Sequence, residues 1–408
     1  MVPNGWNRIA LEKIAEVRSG VAKGKKGLKA PIEVPYLRVA NVQDGHIDLT
    51  EVKTIEIEQD KLERYSLKYG DVLMNEGGDY DKLGRGDVWL GQIEPCLHQN
   101  HVFAVRPNQD IVDSFFLAAL AASNYGKTYF LSCAKRSTNL ASINSTQIKE
   151  FPVLVPPLPE QKKIAQILST WDKAITTTEQ LLANSQQQKK ALMQQLLTGK
   201  KRLLDENGGR FSGEWKATAV AAFIKESRVP GSTGDTAKKI TVKLYGNGVV
   251  AKDEKRSGSE STKYFRRSAG QFIYSKLDFL NGAFGIIPEE LDGYESTLDL
   301  PAFDFLGNVN VEWFTYYVSR EDFYSSNLGL ANGGRKARRV NPNDLLRIKI
   351  PTPSLEEQQK IAAVLSTADQ KITALQHKLE ALKQEKKALM QQLLTGKRRV
   401  KIDNKEVA

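Results

Sequence analysis

The chain has 408 residues, 40% apolar and 26% charged, with a net charge of +11 at neutral pH. That length is beyond what one hydrophobic core usually serves and predicts at least two folded units, while the composition excludes wholesale disorder. The positive excess favours a polyanionic partner, nucleic acid first, because each neutralised phosphate releases condensed counterions.

Residues 1–155 read as a mixed α and β segment. The opening MVPNGWNRIALEKIAEV lacks a signal peptide's apolar core, and FFLAALAA at Phe115–Ala122 is too short to span a bilayer. No membrane association is therefore expected. Cys96 and Cys133, the only cysteines, are too few for a disulfide framework and suit a reducing, cytoplasmic location. Strands are expected in VPYLRVANV from Val34 and HVFAVRP from His101, and a helix from Asp113 to about Leu131 with Asp113 or Ser114 as N-cap. Cys96, His98 and His101 have no second ligand cluster beside them, so a strand-end histidine is the simpler reading and no metal is expected. YGKT at Tyr125 lacks the upstream glycine of a phosphate loop. Lys23, Lys25 and Lys26, with Lys29 nearby, and the loop Lys135, Arg136, Ser137, Thr138 and Asn139 are candidate DNA contacts. Cationic groups in Gly- or Ser-rich loops can reach phosphates or guanine edges, although solvated surface charge explains any single cluster equally well.

Residues 156–203 form the first long helix. Pro156, Pro157 and Pro159 cut off the preceding structure and Gly199 closes the helix. Between them Ile164, Leu168, Trp171, Ile175, Leu182, Leu192 and Leu196 recur at alternating steps of four and three once Thr178, Ser185 and Lys189 are included. That is a coiled-coil seam with three polar positions. At 1.5 Å per residue it predicts a rod of roughly 57 Å.

Residues 204–352 repeat the order of strands, helix and basic loop. KKITVKLYGNGVV from Lys238 and GQFIYSKL from Gly270 read as strands, and VEWFTYYVSREDFYSS from Val311 as a helix. The candidate DNA contacts are Lys238, Lys239, Arg266, Arg267, Arg335, Lys336, Arg338 and Arg339. GNGVVA at Gly246 fits a loose dinucleotide fingerprint without a following helix, and NPND at Asn341 lacks the second proline and stacking aromatic of an amino-methyltransferase motif. A turn or helix cap at Asn341 is expected instead. Residues 353–400 then form the second helix, introduced by Pro351 and Pro353 and closed by Gly396. Its seam is Ile361, Leu365, Ala368, Ile372, Leu375, Leu379, Leu382, Lys386, Leu389 and Leu393. Residues 401–408 read as a flexible tail.

These segments are copies. KKALMQQLLTGK occurs at Lys189–Lys200 and again at Lys386–Lys397, a shift of 197 residues. The same shift superposes EQKKIAQILSTWDKAI from Glu160 on EQQKIAAVLSTADQKI from Glu357, Asn144 on Asn341, and Phe116 and Leu120 on Trp313 and Tyr317. The loops KRSTN and GGRKARR occupy the same place in each copy, which strengthens their reading as DNA contacts. Two seams with matching caps and a domain between them predict an α+β protein. Its two mixed α and β domains would be separated by two long coiled-coil helices that pair with each other, a domain at the end of each permitting an antiparallel arrangement, in a pseudo-twofold internal repeat.

PPLPEQKKIAQILSTWDKAI and PSLEEQQKIAAVLSTADQKI resemble the two conserved helical regions of type I restriction–modification specificity subunits. PYLRVANVQDGHIDL from Pro35, GDVLMNEGG from Gly70 and KRSTNLASINSTQIKEFPVLVPPLPEQ from Lys135 resemble landmarks of the first target-recognition domain. GQFIYSKLDFLNGAFGIIPEELDGY from Gly270 is similar to the second, although GGRKARR departs from the usual small-polar loop. The resemblance implies a non-catalytic subunit that reads a bipartite, asymmetric double-stranded DNA target. It also implies two methyltransferase subunits clamped around the DNA and restriction subunits joining them. The chain itself would hold no cofactor, with S-adenosylmethionine, ATP and Mg on the partners. A stand-alone methyltransferase would need an intact catalytic motif, and a coiled-coil scaffold would leave the charge unexplained.

Overall fold

Proline-bounded, seam-patterned stretches become the two longest elements of the computed structural model, which describes residues 2–23, 27–78, 80, 83–84, 86–136, 140–253, 258–326 and 339–402. The chain divides into two compact units, Met1–Glu179 with His377–Ala408, and Gln180–Gln376. Each long helix therefore contributes one half to each unit.

The first unit carries β1 (Asn7–Ala10), β2 (Ala15–Ser19), β3 (Pro31–Leu37), β4 (Val42–Gln43), β5 (His46–Ile47), β6 (Lys53–Glu58), α1 (Leu62–Tyr65), β7 (Val72–Asn75), β8 (Gly77–Gly78), β9 (Leu97–His98) and β10 (Val102–Pro107). There follow α2 (Ser114–Ala122), α3 (Asn124–Cys133), β11 (Lys135–Arg136), β12 (Ala141–Ser142), α4 (Ser145–Lys149), β13 (Pro152–Val155) and the start of α5 (Leu158–Leu196). The antiparallel sheet β2-β10-β7 buries Val72, Met74, Phe103 and Val105 against Phe116 and Leu120 of α2. Beside it β3 and β6 pair along six residues and enclose the β4–β5 hairpin. The single helix expected over 113–131 is two. Asp113 caps α2 by accepting from Phe116 N–H, but Ser123 breaks the run, its hydroxyl bonding Leu120 O at 2.6 Å while its Oγ accepts from Gly126 N–H. A Cβ at Gly126 would sit 2.2 Å from Ala121 O, so only glycine allows this turn.

The second unit carries the remainder of α5, then β14 (Lys216–Ala219), β15 (Ile224–Ser227), β16 (Pro230–Thr233), β17 (Ile240–Val242), β18 (Val249–Ala251), β19 (Lys263–Arg266), β20 (Phe272–Tyr274), β21 (Phe284–Ile286), β22 (Glu295–Ser296) and β23 (Ala302–Phe305). It ends with α6 (Val311–Val318), α7 (Glu321–Ser326), α8 (Pro342–Arg347), β24 (Lys349–Thr352) and the start of α9 (Leu355–Leu393). The sheet β15-β23-β20-β21 packs an aromatic core, Phe272, Tyr274, Phe284 and Phe303, against Trp313 and Phe314 of α6. Again β16 pairs with β19 and encloses a hairpin, β17–β18. KKITVKLYGNGVV is thus two strands around a turn, and in GNGVVA the Gly246–Gly248 part lies in that turn while VVA is β18, with no helix following. The stretch from Val311 is also broken, at Ser319–Arg320.

Both long helices have 39 residues. In the first unit Ile164 and Leu168, near the start of α5, pack with Leu389, Leu393 and Leu394, near the end of α9. In the second unit Leu192, Leu196 and Leu197 pack with Ile361, Ala362 and Leu365. Start against end in both units makes the pairing antiparallel. No seam position is exposed: Trp171, Ile175, Leu182, Ile372, Leu375, Leu379 and Leu382 are half-buried, and even Thr178 and Ser185 are buried. Burying one Leu side chain contributes about 1.5–3 kcal/mol, so the seam's regularity has a direct energetic basis. The seam lysines are neutralised across the pair, Lys189 by Asp369 at 2.5 Å and Lys386 by Asp172. Gly199 and Gly396, at φ 72° and 67°, end the helices in the left-handed region.

Candidate nucleic-acid interface

Just past each closing glycine an arginine turns back onto its unit. Arg202 forks onto both oxygens of Glu357 at 2.6 and 2.7 Å and donates to Gly213 O at 2.9 Å. Arg399 does the same to Glu160 at 2.6 and 2.7 Å and to Asn4 O at 2.7 Å. Each carboxylate also accepts from an indole, Trp215 at 3.1 Å and Trp6 at 3.2 Å. The next residue holds the domain's helix: Gln161 accepts from Asp113 N–H at 2.8 Å and Gln358 from Asn310 N–H at 2.9 Å. The dipeptides Glu160–Gln161 and Glu357–Gln358 therefore pin both the entering strand and one helix, α2 or α6, of a recognition domain. Sequence reading passed over these residues, although the shift of 197 relates Glu160 to Glu357 and Arg202 to Arg399.

Within this frame the expected basic contacts separate into three groups. Lys23, Lys135, Arg136, Lys238, Arg266 and Arg339 are exposed. Lys135 and Arg136 form β11, which pairs through β12 with Gly77–Gly78, so the ends of the KRSTN loop are anchored on the GDVLMNEGG segment. Arg136 donates to Leu131 O at 3.0 Å, and its guanidinium lies 6.0 Å from the Tyr80 ring centroid. Arg339 stands 4.0 Å from Asp299. Lys25, Lys26, Ser137, Thr138, Asn139, Arg335, Lys336 and Arg338 lie outside the described residues.

Two expected contacts are corrected. Arg267 is only 1% exposed and donates to Ser296 Oγ at 2.8 Å, Ser227 O at 2.8 Å and Leu300 O at 3.2 Å. Burial pulls its pKa down to about 10 despite nearby Glu226 and Asp304. Lys239 is buried with its ammonium 5.5 Å from the Tyr264 ring centroid. Both are internal struts, unavailable to a phosphate. Their neighbours Arg266 and Lys238 face outward because consecutive side chains of an extended chain point to opposite sides.

Other titratable groups also serve the fold. Burial pulls His98 down to about 4, partly offset by its ring nitrogen's bond to Val102 O at 2.6 Å. Burial pushes the Cys96 thiol up to about 12. Asn144 and Asn341 are both helix N-caps, the first in a capping box with Gln147, as their place in the repeat implied.

The family model of the type I restriction modification DNA specificity domain matches residues 3–185 and 308–384, more than half of the chain. The chain belongs to this family. It is a DNA-recognition subunit of a type I restriction–modification system, with no catalytic role of its own. The matched segments leave out residues 186–307, which include strands β14 to β23 of the second recognition domain. A relative named as the type I restriction enzyme MjaX specificity subunit of Methanocaldococcus jannaschii is 28% identical, over 98% of this chain and 95% of its own length. Two solved structures share the fold: the HsdS subunit from Thermoanaerobacter tengcongensis (17% identity, 97% of this chain and 98% of that one, TM-score 0.53) and the type I S subunit from M. genitalium (14%, 99% of each, TM-score 0.55). Among the described residues no helix is long and apolar enough to cross a membrane.

Proposed function

We propose that this specificity subunit reads a bipartite, asymmetric DNA target, one half-site per recognition domain. Two modification subunits dock on the paired helices and restriction subunits join that core in the cytoplasm. S-adenosylmethionine, ATP and Mg are held by those partners. The observation that carries this reading is the recurrence of one anchoring frame, Glu160–Arg399–Trp6 and Glu357–Arg202–Trp215, around two domains whose exposed residues differ. Equal frames give two copies of a partner equal footholds, and unlike surfaces read unlike sequences.

Methylome sequencing of a host that expresses the chain with its modification partner tests this. The expected result is one motif of two unlike half-sites around an unread spacer. A continuous or palindromic motif overturns the two-reader assignment, and methyl transfer by the purified chain alone overturns the division of labour.

A further inference from the structure

Tyr245 combines an unfavourable backbone with an unburied side chain. It is one of two non-glycine residues with positive φ among those described, at 58°, and its side chain is 73% exposed. A side chain in this region crowds its own backbone, and a left-handed tyrosine persists only where its surroundings hold it. The clamp is visible. Tyr245 N–H donates to Asn281 O at 2.9 Å and Gly246 N–H to Gly282 O at 2.8 Å, while Asn247 closes the turn onto Leu244 O through Nδ2 at 2.8 Å. A Cβ at Gly282 would lie 3.2 Å from Tyr245 Cα, so the two backbones are in contact. The β17–β18 turn is thus braced from below, and its aromatic side chain is turned to solvent instead of the core.

Its position is also that of a variable element. Each recognition domain encloses a hairpin between the outer strand pair. In the first domain Asp44 at the tip meets Lys127 of α3 at 3.3 Å. In the second, the residue 197 positions on is Tyr324 of α7, and Tyr245 is near enough to add to the rise of that phenol's pKa, after burial and Glu321. The equivalent tips thus carry unlike chemistry, an aspartate and a tyrosine, and α7 leads directly into the segment that carries GGRKARR.

Resting on the function proposed above, we infer that Tyr245 contacts DNA in the second half-site, the rigid turn presenting its ring to base edges where a thymine methyl is the matching apolar group. A rigid aromatic loses little conformational freedom on binding, and apolar contact with that methyl is a known form of direct readout.

The test uses the complex assembled with its modification partner. Tyr245→Gly removes the ring and the backbone strain together, so recognition separates from stability. The variant complex should assemble fully and melt no lower than the parent, yet bind the parent's own target about tenfold or more weakly, a loss of the size of one good base contact. Methylation mapping should show relaxed preference in one half-site only. Tyr245→Asn, which also tolerates this backbone, should match the glycine variant, and Tyr245→Phe should retain most of the affinity. Unchanged affinity and motif in Tyr245→Gly overturn the inference, as does failure to assemble, which would make the ring a protein contact. A parent complex with no sequence preference would instead sink the function reading itself.

Discussion

In the first recognition domain the hairpin tip is an Asp44–Gly45 turn tied to α3 by an ion pair, and the core around it is largely aliphatic. In the second, the tip is a left-handed tyrosine over a hairpin core that is aliphatic as well, and the aromatic cluster of Phe272, Phe284 and Phe303 belongs to the separate main core. Yet the strand that enters each domain, the helix α2 or α6 and the exit strand are held by matching contacts. The difference separates what the long helices require from what they leave free. Residues that touch the Glu–Gln anchors recur, and those that face away from them do not.

Breaking an anchor should have the largest effect, and an unequal one. Glu357 is 1% exposed and its partner Arg202 19%, whereas Arg399 over Glu160 is 44% exposed. Arg202→Ala strands a buried carboxylate and should destabilise the second unit by about 4 kcal/mol. Arg399→Ala strands an equally buried carboxylate, Glu160 at 2% exposure, but the arginine removed is itself 44% exposed and screened by water, so the loss to the first unit should be about 1–2 kcal/mol. Hydrogen exchange resolved by peptide reads both. Equal losses would mean that side-chain exposure does not set the anchor's worth.

Acid should sharpen the contrast with a slightly smaller effect. All four histidines, 46, 98, 101 and 377, belong to the first unit. The fold favours neutral His98, its pKa depressed to about 4 from 6.5. Its contribution is therefore complete above about pH 6.5 and drains away as pH falls toward 4, a loss of about 3 kcal/mol. Exchange protection in the first unit should fall faster than in the second between those values, and His98→Gln should narrow the gap. Parallel decline in both units would assign acid sensitivity to shared carboxylates.

The smallest effect concerns the helices. Thr178 and Ser185 of α5 stand where α9 has Leu375 and Leu382. Converting either to Leu should raise stability by about 1 kcal/mol, seen as a higher urea midpoint at constant slope. A fall would mean that the helix pair is closer at the polar positions than a leucine allows.

The frame was legible in the sequence because helices write a long period. Thirty-nine residues hold enough seam positions for the pattern to exceed noise, and proline and glycine mark its ends. The short elements were less so. Ser123 looks like any helix residue until its hydroxyl is seen at work, and Lys238–Lys239 and Arg266–Arg267 looked like clusters. In extended chain such a pair is split, one cation outward and one inward, and sequence alone does not say which. Tyr245 left no signal beyond two glycines within three residues of it.

The repeated KKALMQQLLTGK stretches carry a last consequence. Each opens on the same seam lysine, Lys189 or Lys386, and is followed two residues after its end by the same arginine, Arg202 or Arg399. The acceptors they meet, Asp369 and Glu357 of α9 or Asp172 and Glu160 of α5, are nearly equivalent sets. Contact chemistry barely separates these sets, and a second molecule offers the same ones. What selects the partner in the same chain is the tether, which holds it at an effective concentration on the order of millimolar. Closure of the monomer is thus decided by proximity, and any crowding that approaches that concentration puts exchange between chains in direct competition with it.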